Sequence, residues 1–254
     1  GGLMSLVVAE EPNCEVRCDG ESCAEAVLVA CGSFSPITIM HLLLMESARN
    51  FVQNQLRMRV VRGFLSPVND AYQKPTLISS RDRVAMCKLA VQESDWIEVD
   101  EWEAAQTTYI RSYAVLRRIR ERFDARCEKR RAFRVFLVCG SDVAASMADE
   151  TKWPRESVKS LLNEGSVLVM SRPGENTFSK QHMQWLPVTE RERIIQIPRG
   201  LVPAADISST LVRTTLIAGG SARYMVPEPV LQYIRAHGLW QPKMSNTSQT
   251  YGTG

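Results

Sequence analysis

The chain has 254 residues, 44% of them hydrophobic and 23% charged, with 31 Lys or Arg against 28 Asp or Glu for a net charge of +3. At about 150 residues per domain this is material for one to two domains with a sizeable core, and it excludes a wholly disordered chain, a fibrous repeat or a short stapled scaffold. The longest uninterrupted apolar run, Ala26 to Cys31, falls far short of the ~20 residues a membrane-spanning helix needs, so no membrane segment is expected.

In chain order, residues 1–24 carry Pro12, Gly20 and scattered acids without periodicity and are expected to form a loosely ordered extension. Cys14, Cys18 and Cys23 come nearest to a metal cluster. No second ligand pair at zinc-finger spacing follows, however, and the histidines fall at 41, 182 and 237, so no metal site is expected. Seven cysteines cannot all pair within one chain, and reduced thiols are expected. The first residues lack the basic start and long apolar stretch of a signal peptide, and a cytoplasmic or nuclear location is expected.

The run Ala26-Val27-Leu28-Val29-Ala30-Cys31 reads as a strand buried on both faces. Further strands are expected at Met58–Leu65, Trp96–Val99, Val135–Cys139 and Val167–Met170, with helices between them at about Met40–Asn54, Arg81–Glu93 and Thr108–Arg122. Alternating strands and helices predict an α/β fold, a doubly wound, Rossmann-like parallel sheet with helices on both faces. A strand at Arg193–Ile197, a helix over Ser209–Ala218 and a helix over Glu228–His237 capped by Gly238 complete it as a small C-terminal helical part. The folded domain is expected to span residues 25–240 and a mobile tail 241–254.

Ligands of such sheets bind beyond the carboxyl ends of the strands. After the first strand comes Gly32-Ser33-Phe34-Ser35-Pro36-Ile37-Thr38-Ile39-Met40-His41, a glycine-containing loop entering a helix. Unpaired N–H groups and the positive end of the helix dipole make this an anion site, and phosphate is its natural guest. It is neither a three-glycine dinucleotide fingerprint nor a Walker loop. His41, in the first helical turn, either reaches such an anion or packs locally. Near the other end, Asp206-Ile207-Ser208-Ser209-Thr210-Leu211-Val212-Arg213 reads as a second capped helix start. Ser209, Thr210 and Arg213 share one face there. That fork of donors suits a polyphosphate, although taken alone it also describes a capped helix with a surface arginine.

Together the two boxes resemble the nucleotidyltransferase superfamily with its H/T-x-x-H and I-S-S-T-x-x-R motifs. Within it, the chain is similar to the eukaryotic-type nicotinamide mononucleotide adenylyltransferases from about Val27 to Trp240. The likeness includes Ser66-Pro67-Val68-x-Asp70-Ala71-Tyr72, Trp96-x-x-Val99-Asp100-x-Trp102-Glu103, Val138-Cys139-Gly140-x-Asp142 and Tyr224-x-Val226-Pro227.

The resemblance implies transfer of the AMP part of ATP onto nicotinamide mononucleotide, and also nicotinate mononucleotide, in NAD biosynthesis. By the same likeness, ATP would be bound by Gly32, Ser33, Phe34, His41, Gly140, Asp142, Ser209, Thr210 and Arg213, with His41 and Arg213 as the catalytic pair. The mononucleotide would be bound by Ser33, Phe34, Tyr72 and Lys74, with Trp102 and Trp153 stacking on its ring. Mg²⁺ would ride on the ATP phosphates. Two positions depart from the pattern: Ile39 stands where asparagine is usual, and Pro75 follows Lys74 where many relatives carry another lysine, which predicts one fewer phosphate contact.

A related transferase acting on phosphopantetheine or phosphocholine would leave Trp102 and Trp153 without a ring to stack on. A binding or chaperone-like protein would instead use the basic run Arg117–Arg134, whose local charge is +6. With few aromatic residues interleaved, that run reads as a solvated face and disfavours nucleic acid as a partner. The sequence is compatible with a homo-oligomer and leaves the preference between the two mononucleotides open.

Overall fold

The computed structural model describes residues 24–124, 133–171, 178–198, 201 and 206–242. Six strands form its centre: β1 (Glu25–Gly32), β2 (Arg59–Pro67), β3 (Ile97–Val99), β4 (Phe133–Gly140), β5 (Ser166–Met170) and β6 (Ile194–Ile197). They are ordered β3-β2-β1-β4-β5-β6, and every adjacent pair is parallel. The chain winds outward from β1 in one direction, then returns to place β4 on β1's other side. The switch point of this doubly wound sheet therefore lies between the carboxyl ends of β1 and β4.

Side chains of β1 alternate between two cores. Ala26, Leu28 and Ala30 face Met45, Ala48, Phe51 and Val52 of α1 (Ile39–Asn54). The same core takes Met86 and Cys87 of α2 (Ser80–Ala90), Val212 of α7 (Ser209–Ile217), and Val230, Leu231 and Ile234 of α8 (Glu228–Ala236). Val27 and Val29 face Val115, Leu116 and Ile119 of α3 (Ser112–Asp124), Ala144 of α4 (Ser141–Ser146), and Val158, Leu161 and Leu162 of α5 (Arg155–Glu164). Burial on both faces is why β1 reads as an unbroken apolar run rather than an alternating one.

The expected strands and the C-terminal helices are present. Gly238 takes a φ of +61° just past α8, where a residue without Cβ stops a helix most easily. The helix expected from Thr108 begins only at Ser112, because the Asn69 side-chain amide donates to the Thr108 carbonyl and holds that segment as a loop. Helix α2 ends at Ala90 rather than Glu93. Four elements lie where sequence patterning places none: α4, α5, a 3-10 turn at Lys180–Met183 and α6 (Val188–Arg191).

Residues 1–23 and 243–254, which hold nearly all of the expected extension and tail together with Cys14, Cys18 and Cys23, lie outside the described residues, as does 125–132 of the basic run. Cys31, Cys87 and Cys139 are free thiols. Among the described residues no helix is long and apolar enough to cross a membrane.

Gly165 joins α5 to β5 with no room to spare: a Cβ there would sit 2.5 Å from the Val135 carbonyl oxygen and 3.2 Å from a Leu116 methyl. The carbonyl belongs to the β4 backbone and cannot retreat, so Gly165→Ala is expected to lower stability by about 1–3 kcal/mol. Its melting point should fall by ~2–4 °C per kcal/mol. An unchanged melting curve would contradict this packing.

Candidate active site

The loop between β1 and α1 is held on several sides, and the partners of its carbonyls define what it presents. The Gly32 carbonyl accepts from Val68 N–H at 3.0 Å. Ser33 O accepts from Arg83 at 3.1 Å, Ser35 O from Arg213 at 2.7 Å and Pro36 O from Ser209 Oγ at 2.7 Å. In a trans peptide the N–H points opposite to the preceding carbonyl. Since Val68 lies on the β2 side, the Ser33 N–H is turned toward β4, and the Phe34 N–H faces away from Arg83. The loop thus turns the Ser33 backbone donor toward the switch point, and a donor so placed can receive an anion.

Phe34 is 2% exposed and adopts a φ of +43°. Its ring covers Gly32, where a Cβ would stand 3.2 Å from it, and meets the His41 ring edge-on at 5.1 Å. Phe34 therefore contributes its ring to the floor of the loop.

Thr38, fully buried, is the N-cap of α1, and its backbone N–H donates to His41 Nδ1 at 3.0 Å in a capping-box arrangement. An accepting Nδ1 carries no proton, so the proton of the neutral ring resides on Nε2. His41 is thus both a cap and a donor at the mouth of the loop. Ile39, the first departure, gives its N–H to Met225 O at 3.0 Å and ties this helix start to the turn before α8.

The two helix starts that the sequence separates by some 170 positions meet here. Ser208 caps α7 by accepting from Leu211 N–H at 3.1 Å. Ser209 and Arg213 bond back to the β1–α1 loop as described, and Arg213 also donates to Thr210 Oγ1 at 3.2 Å. Burial lowers the Arg213 pKa from its ordinary value, yet the group is 8% exposed and still borders the site. Two of its five N–H groups are used within the protein, one of them to hold the loop.

Continuing the β1–β4 register from Val29↔Leu137 sets Gly32 beside Gly140. Gly140 is the N-cap of α4, and the Asp142 carboxylate folds back so closely that a Cβ at 140 would lie 2.5 Å from it. Asp142 itself is exposed, an acceptor at the edge of the cleft.

On the β2 side, Tyr72 stacks on Tyr109 at 5.6 Å, and Lys74 and Pro75 lie on the exposed turn that follows. Trp102 and Trp153 are both half-buried against the α3–α5 core. The Arg118 guanidinium covers the Trp102 ring at 5.2 Å, and Trp153 Nε1 donates to Ser146 Oγ at 3.0 Å.

Sequence reasoning did not single out the buried ions beneath these strand ends. Arg83 is 0% exposed and bonds Ser33 O, Ile78 O and Asp70. Ser66 Oγ donates to the Glu103 carboxylate, and Asp100 pairs with Arg118 at 2.7 Å.

Burial pushes the Glu103 carboxyl up from 4.5 to about 7, against the opposing pull of Ser66 and Arg83. A folded pKa above the unfolded one means the native state holds this proton more tightly, so stability is lost as pH rises from about 4.5 through 7. Glu103→Gln should remove that slope, gaining about 2–3 kcal/mol relative to wild type between about pH 5 and 8. Unfolding curves at both pH values check it, and parallel pH profiles for the two proteins would contradict it.

A family profile described as cytidylyltransferase-like matches residues 29–215. The nicotinamide/nicotinic acid mononucleotide adenylyltransferase 1 of Bos taurus is 32% identical, over 85% of this chain and 89% of that one. The adenylyltransferase 2 of the same description from Caenorhabditis elegans is 35% identical, over 84% and 97%. The Schizosaccharomyces pombe protein is 34% identical over 85% of this chain, which spans only 60% of that relative's length. Among solved structures, the Plasmodium falciparum nicotinic acid mononucleotide adenylyltransferase complexed with NaAD shares the fold. Its TM-score is 0.60 at 16% identity, covering 87% of this chain and 100% of that one.

Proposed function

The chain belongs to the cytidylyltransferase-like family, among the nicotinamide/nicotinic acid mononucleotide adenylyltransferases, and from that premise we propose that it transfers AMP from ATP to nicotinamide or nicotinate mononucleotide. The observation that carries this reading is the meeting of the α1 and α7 starts, joined through Ser209–Pro36 and Arg213–Ser35, at the switch point beside Gly140.

In the proposed reaction the mononucleotide 5′-phosphate oxygen attacks the α-phosphorus of ATP in line, and the bond to the bridging oxygen breaks to release pyrophosphate. Both reactants are anionic, so the protein's task is alignment and charge stabilisation rather than covalent chemistry. The N–H groups of Ser33 and Phe34 would face the reacting phosphates. His41 Nε2 would donate to an ATP phosphate, while the Ser209–Thr210 helix start and Arg213 would take charge developing on the leaving pyrophosphate. Gly140 and Asp142 would meet the adenosine ribose, with the exposed Asp142 carboxylate as acceptor for its hydroxyls. Lys74 and Tyr72 would meet the mononucleotide phosphate, and Trp102 and Trp153 its pyridine ring.

Among the described residues no group of three His, Cys, Asp or Glu side chains could hold a metal ion. A donor set of this kind suits Mg²⁺ held by ATP phosphate oxygens and water, since Mg²⁺ keeps several waters and takes few protein ligands. Bound there, it would neutralise phosphate charge.

The test is a coupled assay with ATP, Mg²⁺ and four acceptors: nicotinamide mononucleotide, nicotinate mononucleotide, phosphopantetheine and phosphocholine. NAD and its deamido form should appear with the first two and nothing with the others. Absence of dinucleotide from both mononucleotides would overturn the reading.

A further inference from the structure

Among the described residues Arg83 is the largest fully buried side chain, and its fork is spent on three acceptors: Nε on Ile78 O at 2.9 Å, one terminal nitrogen on Ser33 O at 3.1 Å, the other on Asp70 at 3.0 Å. Its one hydrogen-bonded carboxylate has a side chain 56% exposed, and the nearby Glu103 carboxyl is pushed toward its neutral form by burial, so charge pairing offsets only part of the cost of burying a guanidinium. Packing alone does not call for it either, since α2 already buries Val84, Met86 and Cys87. What Arg83 reaches is the Ser33 carbonyl of the loop. Ser33 O lies fifty positions away in sequence, and its peptide carries the Phe34 N–H on the opposite side.

We propose that Arg83 is a positioning residue, which draws the Ser33 carbonyl backward so that the Phe34 N–H is held facing the reacting phosphates. It touches no substrate. It acts on the loop from the α2 side as Arg213 does from the α7 side, and Asp70 and Ile78 O fix the fork so that Ser33 O receives one N–H at a set angle. A peptide left free to rotate would exchange a donor for a carbonyl dipole in front of an anion. This inference rests on the adenylyltransferase reading for its substrates, though not for the loop's affinity for phosphate.

The experiment compares wild type, Arg83→Gln, Arg83→Lys and Asp70→Ala by melting point, by calorimetric affinity for ATP and for adenosine, and by kcat. Asp70 is exposed and its variant should fold even where the Arg83 variants melt early. Both Arg83 variants are expected to lose about tenfold of the ATP-over-adenosine preference, with adenosine affinity unchanged. Their kcat should drop about 100-fold, and Asp70→Ala should show a smaller loss in the same direction. A merely structural residue would lower the melting point and leave the preference intact, which would overturn the proposal. Full preference and kcat in Arg83→Lys would overturn it too, since charge alone would then suffice. Should wild type bind ATP but adenylylate neither mononucleotide, with the preference still lost in the variants, the acceptor assignment falls and the role of Arg83 stands.

Discussion

His41→Ala is expected to reduce kcat by roughly 10²–10³-fold, the scale on which removing one donor aimed at a developing phosphate or oxyanion charge acts. The expectation follows from the tautomer. Nδ1 accepts from the Thr38 N–H, so the ring is fixed at the loop's mouth with its proton on Nε2. The same bond makes His41 part of the α1 cap, and alanine would leave a buried Thr38 N–H without its acceptor at a cost of about 1 kcal/mol. That should lower the melting point by ~2–4 °C. His41→Gln separates the roles, because glutamine at this position satisfies a capping box. It should recover the stability and not the rate. Steady-state kinetics with melting curves of both variants check this, and near-wild-type turnover in either would remove the histidine from the mechanism.

Arg213→Ala is expected to lower kcat/KM for ATP by about 10²-fold, mostly through weaker use of ATP, as charge-assisted contacts to the polyphosphate are lost. Its structural share is separate: buried Ser35 O loses its donor, which costs about 1–3 kcal/mol in stability. Arg213→Lys keeps the charge but cannot serve Ser35 O, Thr210 and a phosphate together, so its ATP kinetics should fall between the two. Unchanged ATP kinetics in Arg213→Ala would refute its placement at the phosphates.

Much of the site was legible because its signals are local. The six-residue apolar run, the glycine after it and the histidine in the following turn specify strand, loop and helix start from adjacent residues. Ser208 and Ser209 likewise mark α7 as a capped helix. What the sequence could not reveal is which groups meet. Ser35, a partner of Arg213, lies 178 positions away, and nothing near the arginine suggests that one of its donors turns inward to that carbonyl.

Arg83 was hidden by its neighbours. In Ser80-Arg81-Asp82-Arg83 three charges in a row read as a solvated helix start, and only the tertiary fold shows that one of them points into the interior. Glu103 was visible as part of a motif but not as a buried carboxyl, because its burial comes from Ser66 and the strand ends converging above it. The stripe Val158, Leu161 and Leu162 that makes α5 amphipathic was readable at helical spacing, yet it sits among polar residues and short turns that mask it.

The central claim is that two helix starts clasp one triphosphate, and a crystal structure of the protein with a non-hydrolysable ATP analogue and a mononucleotide tests it most directly. The account predicts phosphate oxygens within hydrogen-bond distance of His41 Nε2, of the backbone at Ser209–Thr210 and of Arg213, with the α-phosphorus before Ser33 and Phe34. A triphosphate seated away from either helix start, with the loop between β1 and α1 facing only solvent, would contradict it.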